Sequence, residues 1–476
     1  MATTALVWFR NDLRLTDNPA LTAALRTAGN VIPVFVYAPD EHGDWAPGAA
    51  SRWWLHHSLE ALDRSLRARG ARLILRRGNT LEELIQVAND TSATAVFWNR
   101  RYEPALVARD RRIKQALTEH GLNCQSFNAS LLLEPWEVLN ASGQPYRVFT
   151  AFWRASQRQL QSSAGLAAPK TLGKVAARVK SAPLSKLELL PKVRWDQGMR
   201  AHWQISEDAA HMLLSEFCGH GLADYAHRRD HPAGPGTSRL SPYLHFGQLS
   251  PRQILTAAAS AGETVAEPFI RQLGWRDFAH HLLYHFPRTA AAPLDERFAH
   301  FPWARSTRKM LRAWQRGETG FPIVDAGMRE LWHTGWMHNR VRMVVASLLT
   351  KNLLIPWQEG ARWFWDTLVD ADLANNTLGW QWSAGCGADA APYFRIFNPV
   401  RQSEKFDASG AYLRRWLPEL AKLPDRYLHA PWQAAPEVLD KAGVRLGKSY
   451  PNPVIDLASS RARALEAWSQ IKANRG

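Results

Sequence analysis

Residues 5–9, 31–38, 72–75 and 95–98 are short apolar runs rich in Val, Ile and aromatic side chains, and amphipathic helical patterns at 19–27, 51–69, 81–89 and 104–120 alternate with them. Apolar runs that alternate with helices predict strand–helix–strand units and therefore a parallel sheet. Asn18 caps the first helix, with Pro19 at its first position. After the first run the chain reads Phe9-Arg10-Asn11-Asp12-Leu13-Arg14, where a dinucleotide-binding sheet would carry G-x-G-x-x-G. The lobe is thus Rossmann-like in pattern but is not an ordinary NAD site.

Beyond about residue 206 the pattern changes. Segments 207–217, 250–261, 267–286, 307–316, 322–334, 341–354, 361–368 and 459–472 carry apolar residues at helical spacing, and no strand candidate stands among them. Residues 162–191 are rich in Ala, Ser, Pro and Lys. This predicts a connection of loop and short helix running over the surface. The expected organisation is an α/β N-terminal domain at 1–130, an interdomain linker at 131–205 and a larger all-α domain at 206–476.

The charge narrows the function. Lys and Arg number 59 against 43 acidic residues, a net +16, which favours a polyanionic partner and first of all nucleic acid. The 22 tryptophans exceed what core packing usually needs, and such rings also stack on bases and flat cofactors. Apolar residues make up 46%, which excludes disorder. No run of apolar residues is long enough to span a membrane, and Arg10 follows the first apolar stretch too soon for a signal peptide. Cys124, Cys218 and Cys386 lie too far apart for a disulfide scaffold or zinc spacing. A cytoplasmic, monomeric protein is expected.

Several polar strings carry chemistry. Gly236-Thr237-Ser238-Arg239-Leu240-Ser241 offers hydroxyls, backbone N–H groups and a guanidinium to a phosphate, or it is a simple helix cap. Gln272, Trp275 and Arg276 fall on one helical face, which either lines a cavity or meets solvent. Asn339, Arg342 and Met343 lie within one turn, and Arg342 is a partner for the acids Asp370 and Asp372. Asn375, Asn376, Trp380 and Trp382 set amides beside indoles. His280, His281 and His285 share a helix, but no acid or Cys cluster supports a metal there.

Together these strings resemble the photolyase/cryptochrome family of flavoproteins. The likeness runs from Leu6-Val7-Trp8-Phe9-Arg10-Asn11-Asp12-Leu13-Arg14 to Ala390-Ala391-Pro392-Tyr393-Phe394-Arg395-Ile396-Phe397-Asn398-Pro399. It points to cyclobutane-dimer photolyases of the class I/III type. The resemblance implies FAD in the helical domain, with Tyr225, Thr237, Ser238, Arg239, Leu240 and Ser241 as phosphate and adenosine contacts. It implies an ion pair between Arg342 and Asp372 beside the flavin, Asp370 on the same cofactor, and Asn376 facing the flavin ring. Trp380, Trp357 and Trp303 match an electron relay. Trp275 and Trp382 would sandwich a flipped dimer in UV-damaged DNA. Asn339, Arg340, Met343, Gln272 and Arg276 would complete the lesion face, and Arg229, Arg340 and Arg395 would hold phosphates.

Two departures matter. Family members that repair cyclobutane dimers usually carry Glu where Gln272 stands, so repair is expected to persist at lower yield. Folate-binding relatives of one class use an Asn-Glu pair, and here that stretch reads Tyr102-Glu103-Pro104-Ala105-Leu106. Trp45-Ala46-Pro47-Gly48, followed by Ser51-Arg52-Trp53-Trp54-Leu55, resembles the photolyase group closest to plant cryptochromes, and that resemblance favours a methenyltetrahydrofolate antenna held by stacking, with a deazaflavin or no antenna as alternatives. A blue-light sensor is the runner-up function, although no long C-terminal tail is evident. A (6-4) photolyase is disfavoured, because His338-Asn339 stands where those enzymes have two histidines.

Overall fold

The computed structural model describes residues 3–160, 165–173, 179–390 and 394–473. Five parallel strands form one sheet: β1 (Thr4–Phe9), β2 (Asn30–Tyr37), β3 (Ile74–Arg77), β4 (Ala93–Asn99) and β5 (Asn123–Phe127), in the order β3-β2-β1-β4-β5. Helices α1 (Pro19–Thr27), α2 (Ala49–Arg67), α3 (Thr80–Thr91) and α4 (Pro104–Glu119) are the crossovers. The Asn18 side chain accepts from the Leu21 N–H at 3.1 Å, as a cap should. β1 is buried on both faces because helices cover both. Ala5, Val7 and Phe9 join one core cluster, and Leu6 and Trp8 join another.

The first cluster does not stop at the sheet. It continues through Trp53 and Trp54 of α2 into Trp203, Tyr243, Phe246 and Leu249. Hydrogen bonds fasten the loop after β1 to the helical part, Leu13 N–H to Phe246 O at 3.1 Å and Arg14 Nη1 to Gly247 O at 2.8 Å. Gly247 has φ +67°, and a Cβ there would lie 2.2 Å from Asn11 O. Only glycine permits that approach. The sheet's switch point between β1 and β4 is filled by the protein itself. Asn99 Nδ2 donates to Asp12 Oδ2 at 2.6 Å and to Asn18 Oδ1 at 2.8 Å, and Arg10 reaches Asp110 and the Asn99 carbonyl. This is the crevice where such sheets bind dinucleotides.

The connecting region does more than run over the surface. Helix α5 (Phe149–Gln157) buries Phe149, Phe152 and Trp153 against the long helix α6 (Glu263–His285). The spacing of those three residues is helical and their burial is apolar. The remaining helices that build the site are α7 (Asn339–Ser347), α8 (Trp357–Thr367) and α9 (Leu373–Ala384). No described helix is long and apolar enough to cross a membrane.

Candidate functional site

The site forms where α6, α7, α8 and α9 meet the loop at 237–241. Ser241 Oγ donates to Asp370 Oδ2 at 2.6 Å, and Arg342 Nη2 donates to both Asp370 oxygens, at 3.0 and 2.8 Å. Arg342 Nε is fixed on Met337 O at 2.8 Å. One carboxylate therefore joins the hydroxyl-rich loop to α7. This corrects the expected pairing: Arg342 meets Asp370, not Asp372. The reason is local. Asp372 is the N-cap of α9, accepting from the Asn375 N–H at 2.9 Å, so its carboxylate is turned away. Its other oxygen faces His280 Nε2 at 3.4 Å and His245 Nδ1 at 3.7 Å. Burial opposes its charge, but the two histidines hold its carboxyl well below the usual range.

The loop at 237–241 gathers polar groups. Thr237 and Ser238 are half-buried, Leu240 is buried, and Arg239 adopts φ 53°. Its guanidinium lies 5.1 Å from the centre of the Trp336 ring and reaches His202 Nε2 at 2.8 Å. His202 is held near 4 by burial and then by Arg239, so that nitrogen stays free to accept. Tyr225 is buried edge-on to Phe269 at 5.3 Å, and Arg229 covers its ring at 5.4 Å. Hydroxyls, guanidinium and left-handed backbone in one loop suit a diphosphate.

The four helices carry the rest. On α9, Asn376 Nδ2 donates to the Ala361 carbonyl of α8 at 3.0 Å. Trp380 is buried, edge-on to Phe364 at 5.0 Å and to Trp314 at 6.0 Å, and its indole N–H has no partner among the described residues. A Cβ on Gly360 would lie 2.0 Å from the Trp380 ring, so α8 has a slot for it. Trp357 opens α8 one turn before Gly360 and is buried. Ala304 N–H binds Leu354 O at 2.8 Å, three residues before Trp357, and the half-buried Trp303 meets Phe301 at 4.5 Å. Trp380 and Trp357 belong to one buried apolar cluster, and Trp303 packs against it. The sequence did not single out Trp314, which is more deeply buried than any of them.

On α6, Trp275 stacks on Phe149 of α5, ring centres 3.7 Å apart and planes within 9°. A Cβ on Gly274 would lie 2.3 Å from Trp153, so α5 presses directly on α6. Phe149 was missed because the linker was expected to skirt the surface. Its signal was the apolar spacing of Phe149, Phe152 and Trp153. Gln272 Nε2 donates back to Pro268 O at 3.0 Å. Arg276 departs from the expected lesion face: it binds the Ser130 carbonyl and lies beside Asp277, its side chain 12% exposed. On α7, Asn339 is exposed and its amide lies 3.9 Å from the Met343 sulfur. Arg340 pairs with Asp230 at 2.9 Å and covers Phe406 at 4.4 Å. Trp382 is half-buried and Arg395 is exposed. Of the closing motif, residues 391–393 lie outside the described residues.

A second feature is a cavity of about 320 Å³ where the two lobes meet, lined by Trp45, Pro47, Arg101, Glu103, His245 and Trp365 among others. Trp45 and Trp365 meet edge-on at 5.3 Å. The Arg101 pair outweighs burial and holds the Glu103 carboxyl near 2.

Comparison with known proteins finds photolyases and a cryptochrome among similar chains. Residues 5–171 match the family described as DNA photolyase, and residues 269–470 match the FAD binding domain of DNA photolyase. A deoxyribodipyrimidine photo-lyase of Agrobacterium fabrum is 47% identical, with 98% of each chain covered. Cryptochrome-1 of Arabidopsis thaliana is 40% identical over 98% of this chain and 70% of its own length. The crystal structure of a bacterial class III photolyase from Agrobacterium tumefaciens superimposes with a TM-score of 0.96 at 46% identity, covering 100% of this chain and 98% of that one.

Proposed function

The chain belongs to the DNA photolyase family, and on that footing we propose that it uses FAD and light to split cyclobutane pyrimidine dimers in UV-damaged DNA. The observation that carries this reading is the half-buried Trp275, one face fixed on Phe149 at 3.7 Å. A ring held on one side offers the other to a base at little entropic cost. A dimer cannot reach the site while stacked in duplex, so it must flip out. Trp275 and Trp382 then wall the pocket, with Gln272, Asn339 and Met343 at the lesion edges and Arg229, Arg340 and Arg395 at flanking phosphates. Gln272 must release Pro268 O to meet a pyrimidine carbonyl. Arg276 supports the linker and leaves the lesion to its neighbours. The proposed boundaries are those near residues 130 and 206, with α5 counted as part of the site.

The donor set fits FAD: a hydroxyl and guanidinium loop for the diphosphate, and an Arg342–Asp370 pair with a neutral Asn376 for the ring. Bound FAD, when reduced and excited, supplies the electron that opens the dimer and takes it back. Asn376 is uncharged and adds no negative charge beside a reduced ring. Trp380, Trp357 and Trp303 carry electrons inward from the surface. The cavity at Trp45 is the place we assign to a folate antenna, because stacking rings and a carboxylate meet there.

Dark binding tests the reading. The protein should prefer a duplex with one cyclobutane dimer over undamaged duplex by about a hundredfold or more, as two stacked bases are worth roughly 1–3 kcal/mol each. Equal affinity for both would contradict it, and preference for a (6-4) lesion would replace it.

A further inference from the structure

His280 shares a helix with His281 and His285, and the geometry around it is specific. Both ring nitrogens face acceptors: Nδ1 lies 3.0 Å from the Arg276 carbonyl of its own helix, and Nε2 lies 3.4 Å from Asp372 Oδ2. A neutral imidazole has one N–H and one lone pair, so one of these contacts would set lone pair against oxygen. The imidazolium satisfies both. Asp372 completes the match, since its Oδ1 accepts from the Asn375 N–H at 2.9 Å and the Asn375 side chain at 2.7 Å. His245 stands on the same side, its Nδ1 3.7 Å from Asp372 Oδ2, which is beyond hydrogen-bond distance. His280 is 5% exposed and Asp372 8%, so water screens the pair little.

We propose that His280 is a positioning residue kept as a buried imidazolium, clamping α6 to the N-cap carboxylate of α9 and so setting the spacing of the flavin and lesion helices. α6 carries Gln272 and Trp275, and α9 carries Asn376, Trp380 and Trp382. Deprotonating His280 sets a lone pair against one of its two oxygens and removes the charge that faces Asp372, which loosens the start of α9, one turn before Asn376. The groups that face this centre are Arg276 and Asp277 on α6, Asp372 before α9, His245 of the Ser241–His245 turn, and the Arg101–Glu103 pair with the Tyr102 ring 6.2 Å away. Burial favours the neutral ring, but Asp372 outweighs it and holds His280 above its ordinary 6.5. A base with a raised folded pKa contributes stability that is complete below 6.5 and is lost as pH rises through the folded value.

The consequence for flavin retention rests on the proposed FAD site, whereas the charge state of His280 does not. Full-length protein with ¹⁵N-labelled histidine rings is titrated from about pH 6 to about pH 9, a range that spans the ordinary value. His280 is assigned by its loss in His280→Arg, a variant that keeps the charge. Both His280 nitrogens should carry protons at neutral pH. The unfolding constant should rise with pH through the same midpoint, by about tenfold for each unit of pKa elevation. Flavin release should accelerate through that midpoint in the parent, be flat in His280→Arg and be fast throughout in His280→Gln. A neutral His280 ring at pH 7, or an unchanged pH profile in His280→Arg, would overturn the proposal. A chain that binds no flavin would contradict the FAD reading, while ring protonation and unfolding on the same sample would still decide this one.

Discussion

Asp370 accepts twice from Arg342, at 2.8 and 3.0 Å, and once from Ser241, at 2.6 Å. A carboxylate so loaded is a joint rather than a surface ion pair. It couples the loop at 237–241 with α7, so the proposed cofactor and lesion sites share one support.

Removing one partner of that joint is therefore costly. Arg342→Ala strands Asp370, whose side chain is 4% exposed, while Arg342 itself is 25% exposed. The full penalty for a broken buried pair is about 3–5 kcal/mol, and partial exposure reduces it to roughly 2 kcal/mol. Thermal melting should fall accordingly, and the flavin-to-protein absorbance ratio should drop. Arg342→Lys should recover part of both, because it keeps charge without the fork.

Phe149 should behave as part of the lesion pocket although it faces away from it. Phe149→Leu keeps apolar volume but removes the plate behind Trp275. Damaged-DNA affinity should weaken about tenfold, within the range of one stacking contact of roughly 1–3 kcal/mol, with flavin content unchanged. Trp275→Ala should lose more. Titration with a dimer-containing duplex measures both.

The slot in α8 predicts a separable defect. In Gly360→Ala the new Cβ would lie 2.0 Å from the Trp380 ring, so the indole must move. Overpacking of this kind costs about 1–3 kcal/mol. Blue-light reduction of the oxidised flavin should slow, whereas repair by chemically pre-reduced protein should fall less. Trp380→Phe should show the same split without the strain. Parallel loss of both activities would show that Trp380 is structural.

Much of this was legible in the residues. Alternating apolar runs gave four strands and their helices, and helix 322–334 begins and ends as its pattern predicts. β5 escaped because it is a polar edge strand, Asn123-Cys124-Gln125-Ser126-Phe127, with little burial to imprint a pattern. The Arg342–Asp370 pairing escaped because Asp370 and Asp372 are equivalent as strings. Only the helix start at Leu373 distinguishes them, by drafting Asp372 as a cap. Arg276 escaped because helical spacing gives a face but not which neighbour claims it. Its claimant, the Ser130 carbonyl, lies 146 residues away in sequence. His280 looked inert because its acceptors come from its own backbone and from a helix 92 residues on.

In the proposed lesion pocket, Gln272 sets the chemistry of the pyrimidine edge. Gln272→Glu restores a group that can both donate and transfer a proton. Repair per absorbed photon should rise, with dimer affinity within about a factor of three, since one hydrogen bond is exchanged for another. An unchanged yield would remove Gln272 as the limiting feature.

The most direct measurement uses photoreduced protein with oligothymidine carrying cyclobutane dimers. Base absorbance near the ultraviolet maximum is followed under blue light and in the dark. Recovery in the light alone, with none in the dark, is the predicted result. No recovery from protein whose flavin still photoreduces would contradict a repair enzyme and leave a light sensor built on the same fold.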